Sequence, residues 1–218
     1  MKIKKLLLII LTFIFSNSFS QETVQDNEGN SYKTIKIGEQ IWMQENLKTT
    51  HYNNGKAIPT IADPKAWGNA TTGAYAVYED KEKNKQEFGL YYNYYVIIDT
   101  GNVCPIGWHI PSDSDFIKLI DFMGGAARAG GKLKEKEFKF WLKPNTGYTV
   151  NDTFKARGVG RRSSGGNYYG LTTNANFWSK TSVDEYKAIA IGLECYDVAV
   201  STYAWHKAHG FSIRCIKN

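Results

Sequence analysis

Beyond its first 20 residues the 218-residue chain has no apolar run approaching 18 residues, so it offers no segment of membrane-spanning length. It has no linker-like tract and no internal repeat, and one domain is the simplest organisation. A strong charge of one sign is also missing. Lysine and arginine number 27 against 21 acids, and setting aside Lys2, Lys4 and Lys5 lowers the formal charge from +6 to +3. Nucleic-acid binding needs basic charge clustered on one face, so that partner class is excluded. Cysteine is scarce: Cys104, Cys195 and Cys215 are all there is. At most one intrachain disulfide can form, with one thiol left over. Cys104–Cys215 is the preferred pair, because each flanks an element that other features make structural; three buried free thiols are the alternative.

What is present begins with the N-terminus. The three lysines precede an apolar run over residues 6–15, and Ser18 and Ser20 supply small residues at −3 and −1 of a cleavage after Ser20. Residues 1–20 therefore read as a secretory signal peptide. No cysteine follows the run, which disfavours a lipid-modified N-terminus. The expected product is exported, without a stable membrane anchor, to the periplasm, cell surface or medium, where disulfides form. Residues 21–31 read as a polar leader and 32–218 as a single domain.

Within the domain, residues 32–37 alternate as a half-buried strand, Gly38-Glu39 turns the chain, and residues 40–47 can return as a hairpin arm. Asn53-Asn54-Gly55 marks a second turn. Residues 74–78 are strand-like, and 79–87 form a mixed charged, solvated loop. Residues 88–98 combine strand-like composition with helical spacing of Leu90, Tyr94 and Ile97. The clearest helix spans 112–123: Ser112 can cap it, Asp115 faces the positive end of its dipole, and Gly124-Gly125 stops it. The glycine-rich residues 130–170 read as long loops with brief strands. Strands are expected at 177–179, 188–200 and 211–216.

Catalytic and ligand-binding patterns are mostly missing. Cys195 has no local signature of a nucleophile. His206 and His209 stand three apart in an apparent loop, without a Cys or Glu partner, so no metal site is expected. Ser163-Ser164-Gly165-Gly166 is not a nucleophile elbow, and no glycine loop has phosphate-binding spacing. The asparagines between 145 and 176 lack a calcium-loop register and read as turn residues. Arg157, Arg161 and Arg162 with Tyr168 and Tyr169 make a basic–aromatic cluster, readable either as a surface hairpin or as a ligand-binding loop. No cofactor is implied.

Several stretches, in order, resemble one family. They are Trp42-Met43-Gln44-Glu45-Asn46-Leu47, Tyr52-Asn53-Asn54-Gly55, Gly89-Leu90-Tyr91-Tyr92, Cys104-Pro105-Ile106-Gly107-Trp108-His109-Ile110-Pro111-Ser112, Gly131-Lys132-Leu133-Lys134, Phe177-Trp178-Ser179 and Gly210-Phe211-Ser212-Ile213-Arg214-Cys215. These resemble the marks of the Fibrobacter succinogenes major paralogous domain, over residues 32–217. The resemblance implies an exported or surface-associated bacterial domain of α+β class, C-type lectin-like and akin to the formylglycine-generating enzyme. Two helices, 88–98 and 112–123, would pack on small antiparallel sheets with long irregular loops, and a Cys104–Cys215 bridge would tie the segment between them to the last strand. The paired active-site cysteines of that enzyme are missing. So are the calcium motifs of sugar-binding lectins: Lys143-Pro144-Asn145 and Trp178-Ser179-Lys180 stand in their places.

The expected function is a non-enzymatic binding module for glycan or glycoprotein. Its loops would expose Trp141, Arg161, Tyr168 and Tyr169, since aromatic faces can stack on sugar rings. A structural or assembly protein of the cell envelope, binding protein partners through the same loops, is the alternative. An exported enzyme using Cys195 or His206/His209 is the third reading.

Overall fold

The computed structural model describes residues 22–149 and 153–218, and the expected signal peptide lies outside them. The chain is mixed α/β, with five helices and four small sheets among the described residues. The largest sheet has the order β1-β2-β3-β12-β6, from β1 (Thr23–Gln25), β2 (Ser31–Ile37), β3 (Gln40–Met43), β12 (Ile216–Lys217) and β6 (Trp108–His109). The β2–β3 hairpin turns at Gly38, where φ is +60°, a value open to glycine at little cost. In β2, Tyr32 and Thr34 point inward while Lys33 stays exposed, as the period of two requires. The polar leader is part of the domain. β1 pairs with β2, and Asp26 accepts a 2.7 Å hydrogen bond from the buried Tyr32 phenol.

The second sheet has the order β11-β10-β9, with β10 (Lys187–Glu194) between β9 (Asn174–Ser182) and β11 (Ser201–His206). Two-stranded ladders join β4 (Tyr75–Ala76) to β5 (Tyr91–Tyr92) and β7 (Arg161–Arg162) to β8 (Tyr168–Tyr169). Helix α1 (Pro64–Gly68) is capped by the Asp63 carboxylate, 2.7 Å from the Ala66 N–H.

The helix expected at 112–123 is α4 (Asp113–Phe122). Ser112 and Asp115 form a reciprocal capping box, and Phe116, Leu119 and Ile120 face the core. Trp42 packs on Phe116 at 5.3 Å and on Phe154 at 5.6 Å, which joins the first sheet to the helices. Behind the first sheet a second cluster holds Tyr32, Met43, Leu47, Tyr92 and Trp108 around the Cys104–Cys215 disulfide. That bridge links residues 111 apart in the chain, and Cys195 is the free, buried thiol.

The other expected helix does not form over 88–98. Residues 90–94 are all buried, so no single face is apolar. Gly89, at φ +75°, breaks the segment where a side chain would overlap Asn46. Tyr91 and Tyr92 become β5, and only α3 (Tyr94–Ile97) is helical. Part of the expected charged loop is helical too, as α2 (Lys83–Phe88), with half-buried Phe88 packed against the core.

A further helix, α5 (Ala126–Leu133), occupies ground read as loop. Gly130 and Gly131 sit inside it because a Cβ on either would overlap a backbone carbonyl, of Ala199 and Gly147 respectively. Helix interiors ordinarily gain stability from Gly→Ala. Here Gly130→Ala is expected to lower stability by roughly 1–3 kcal/mol through overpacking. A urea-unfolding midpoint that rises would contradict this packing.

Candidate functional site

The β7–β8 hairpin sorts its four side chains by strand alternation, as Arg161 lies opposite Tyr169 and Arg162 opposite Tyr168. Arg162 and Tyr168 turn inward. Arg162 is fully buried: its Nε donates to Gly166 O (2.8 Å), Nη2 to Ala62 O (2.6 Å) and Nη1 to Ile61 O. Its guanidinium lies over Trp67 at 4.4 Å and Tyr168 at 5.1 Å. The Tyr168 hydroxyl reaches Val77 O at 2.7 Å and Asp80 Oδ1 at 2.9 Å, and burial pushes its pKa up. Tyr168 therefore closes a loop instead of presenting its ring.

Trp141 corrects the sequence reading more sharply. It was expected on an exposed loop, yet it is wholly buried, with its indole N–H donating to Ala156 O at 2.8 Å. Gly158 makes the space, since a Cβ there would stand 2.9 Å from the Trp141 ring. Glycine here admits a large aromatic residue to the core, where the sequence suggested an open loop.

Arg161 and Tyr169 lie on the other face of the hairpin. Tyr169 is about half exposed, and the Arg161 guanidinium lies 5.3 Å over the Trp205 ring. That contact joins the hairpin to β11, the outermost strand of its sheet. Along β11, Ser201, Tyr203 and Trp205 share a face and sit opposite Gly192, Ala190 and Ala188. The small residues on β10 give Trp205 room to pack, partly buried, against Phe211 at 5.5 Å and the Tyr94–Trp178 cluster, while Tyr203 stays exposed beside it. The Tyr203 and Trp205 rings are 6.5 Å apart and nearly perpendicular, and Tyr203 is 59% exposed. His209 packs against Trp205 at 4.9 Å; burial pushes its pKa down to about 4, which makes it a neutral ring at neutral pH.

Beside these rings the Arg161 charge acts on Glu194. Burial raises the Glu194 carboxyl and Arg161 opposes that, with exposed Tyr196 close by. The resulting surface combines exposed phenol rings and a partly buried indole with a guanidinium and a carboxylate. Of the residues at this surface, Arg161 and Tyr169 were candidates from the sequence; Tyr203 and Trp205 were not, because residues 204–210 read as a loop. The usable signal was the period-two pattern of Ser201, Tyr203 and Trp205.

Cys195 is buried in the core. Nearby, the buried Lys134 ammonium donates to the carbonyls of Glu194 (2.8 Å) and Asp197 (2.9 Å), and burial pushes its pKa down to about 8. His206 Nδ1 accepts from Ala208 N at 3.2 Å, and His209 Nδ1 lies 3.1 Å from His206 O. Among the described residues no group of three or more His, Cys, Asp or Glu is placed to hold a metal ion. Also among them, no helix is long and apolar enough to cross a membrane.

The fold and this surface define a disulfide-bridged, mixed α/β domain that presents aromatic side chains at a sheet edge. The chain belongs to the Fibrobacter succinogenes major domain family, whose model matches residues 35–217. No curated protein and no solved structure matches it.

Proposed function

We propose that the protein is an exported, non-enzymatic binding module of the cell envelope that takes glycan on the β11 face. The observation that carries this reading is the Arg161–Trp205 contact, which brings the exposed rings of Tyr169 and Tyr203 to the two sides of a partly buried indole. Aromatic faces stack on the C–H faces of sugar rings, while guanidinium and carboxylate groups at the rim can hydrogen-bond hydroxyls. An open surface suits the side of a polysaccharide chain better than a small enclosed ligand. The signal-like residues 1–20 and the buried disulfide both support export to an oxidising compartment. A C-type lectin-like arrangement is part of the proposal, supported by helix α4 and the closing strand tied by Cys104–Cys215. The missing calcium motifs make the expected binding independent of calcium.

A second reading, a structural or assembly protein of the envelope, is favoured by one observation. β11 is an edge strand, and such edges can accept a strand from a protein partner. A glycan array probed with wild-type protein and Trp205→Ala, each with and without chelator, separates the two. The glycan reading expects binding that survives chelator and falls several-fold in the variant, given roughly 0.5–1.5 kcal/mol for a lost aromatic contact. No array signal, or equal signal from a folded Trp205→Ala, would leave the assembly reading in its place.

A further inference from the structure

A cleft of about 430 Å³ lies apart from the β11 face and shares no residue with it. Its size falls within the range of small-molecule sites. The polar groups converging on it are Tyr52, Lys56, Thr71, Thr72, Tyr95 and Asp99, with Ile98 and Pro59 as apolar wall. We propose that this cleft is a second ligand site, which takes a single neutral pyranose residue.

The site is built around Tyr52, which is held between two glycines. A Cβ on Gly73 would overlap the Tyr52 hydroxyl, and one on Gly101 would come within 2.7 Å of the Tyr52 Cβ. The phenol is thereby held near the Asp99 carboxylate, and burial together with that charge pushes its pKa up to about 12. Asp99 Oδ1 also accepts from the Gly101 N–H at 2.9 Å, and Oδ2 from the Lys56 ammonium at 3.1 Å. Lys56 in turn lies 5.4 Å from the centre of the Tyr52 ring. The Gly101 N–H, ahead of Lys56, keeps the Asp99 carboxyl below its usual range, and it is an acceptor at neutral pH.

The charge state selects the ligand class. One carboxylate and one ammonium already neutralise each other inside the cleft. Lys56 is largely solvent-exposed and the pair carries no net charge, so a charged ligand is attracted by one member and repelled by the other and gains little over a neutral one. A neutral polyol breaks nothing. Lys56 keeps N–H donors beyond the one given to Asp99, and each carboxylate oxygen has a further lone pair. Adjacent ring hydroxyls can then donate to Asp99 and accept from Lys56, with Thr71 and Thr72, both exposed, adding hydroxyls at the rim. Half-exposed Ile98 and the Tyr95 side chain give the C–H face of the ring an apolar surface.

The test is an amide NMR titration of the ¹⁵N-labelled protein with the methyl glycosides of glucose, galactose, mannose and N-acetylglucosamine, up to on the order of 100 mM. At least one glycoside is expected to shift the amides of Lys56, Thr72, Gly73 and Gly101. Asp99→Asn is expected to weaken that response tenfold or more, and Trp205→Ala to leave it unchanged. Thr72→Val, at an exposed position, is expected to weaken it several-fold and serves where Asp99→Asn unfolds. Three outcomes would overturn the site: no shift of these amides with any of the four glycosides, wild-type affinity in both cleft variants, or a stronger response to inorganic phosphate or free lysine than to any glycoside. The proposal does not depend on glycan binding at β11. Shifts here without an array signal dependent on Trp205 would sink only the β11 reading, and the converse would sink only this one.

Discussion

Replacing Arg214 by lysine is expected to cost roughly 3–5 kcal/mol of stability, the range for breaking a buried charged network. Arg214 is 1% exposed, and among the described residues no carboxylate accepts its hydrogen bonds. Its Nε donates to Asn46 Oδ1 at 2.9 Å, Nη2 to Lys155 O at 2.9 Å and Nη1 to Phe154 O. The guanidinium plane lies 4.4 Å from the Phe154 ring centre and 5.2 Å from that of Phe177. Burial pushes its pKa down, and the three oxygen acceptors compensate the buried charge. A lysine ammonium cannot span acceptors set out for a planar fork, nor stack between two rings. Arg214→Met should also destabilise, because Asn46 and two carbonyls would lose their donor. Urea unfolding of the three proteins checks this, and a loss below about 1 kcal/mol in both variants would remove Arg214 from this role.

Loss of the disulfide is the second large effect. Cys104 and Cys215 are fully buried and 111 residues apart. Closing a loop of that length lowers the entropy of the unfolded chain by an amount worth roughly 5 kcal/mol. Typical domains hold only about 5–15 kcal/mol of net stability, so a Cys104→Ser/Cys215→Ser double variant should unfold at much lower denaturant or fail to fold. Unfolding midpoints of wild type and variant, with thiols counted, give the answer. A variant within about 1 kcal/mol of wild type would mean the bridge adds little.

Both effects bear on what the family-like stretches are for. Asn46, in the first of them, meets Arg214, in the last, across 168 positions of sequence. Asn46 also donates to Phe88 O and Ser212 Oγ. Trp178 donates its indole N–H to Tyr92 O, and Lys134 ties two carbonyls together. These side chains fasten irregular backbone to the sheets. They specify the fold and do not form the exposed surface.

That division explains what could be read from the sequence. Helix α4 was legible because its cap and its apolar period are local. The β2–β3 hairpin was legible for the same reason. The 88–98 segment was misread because burial on every side erases periodicity. Helix α5 and buried Trp141 were missed because glycine marks a flexible loop and a close backbone approach with the same letter. Which approach is meant depends on Ala199, Gly147 and Phe140, all distant or non-adjacent in sequence. At the surface, Arg161 and Tyr169 were identified by their residue types. Their partners Tyr203 and Trp205 were not, because only the packing of the hairpin against β11 brings the two stretches together.

The central claim, that the β11 face binds glycan, is most directly tested by NMR mapping with the strongest ligand from the array. The predicted result is a cluster of shifts at Tyr169, Tyr203 and the Trp205 indole N–H, with the Tyr169 and Tyr203 shifts needing several-fold more ligand in a Trp205→Ala variant of wild-type dispersion. Shifts that leave those groups untouched while the ligand binds elsewhere would contradict it.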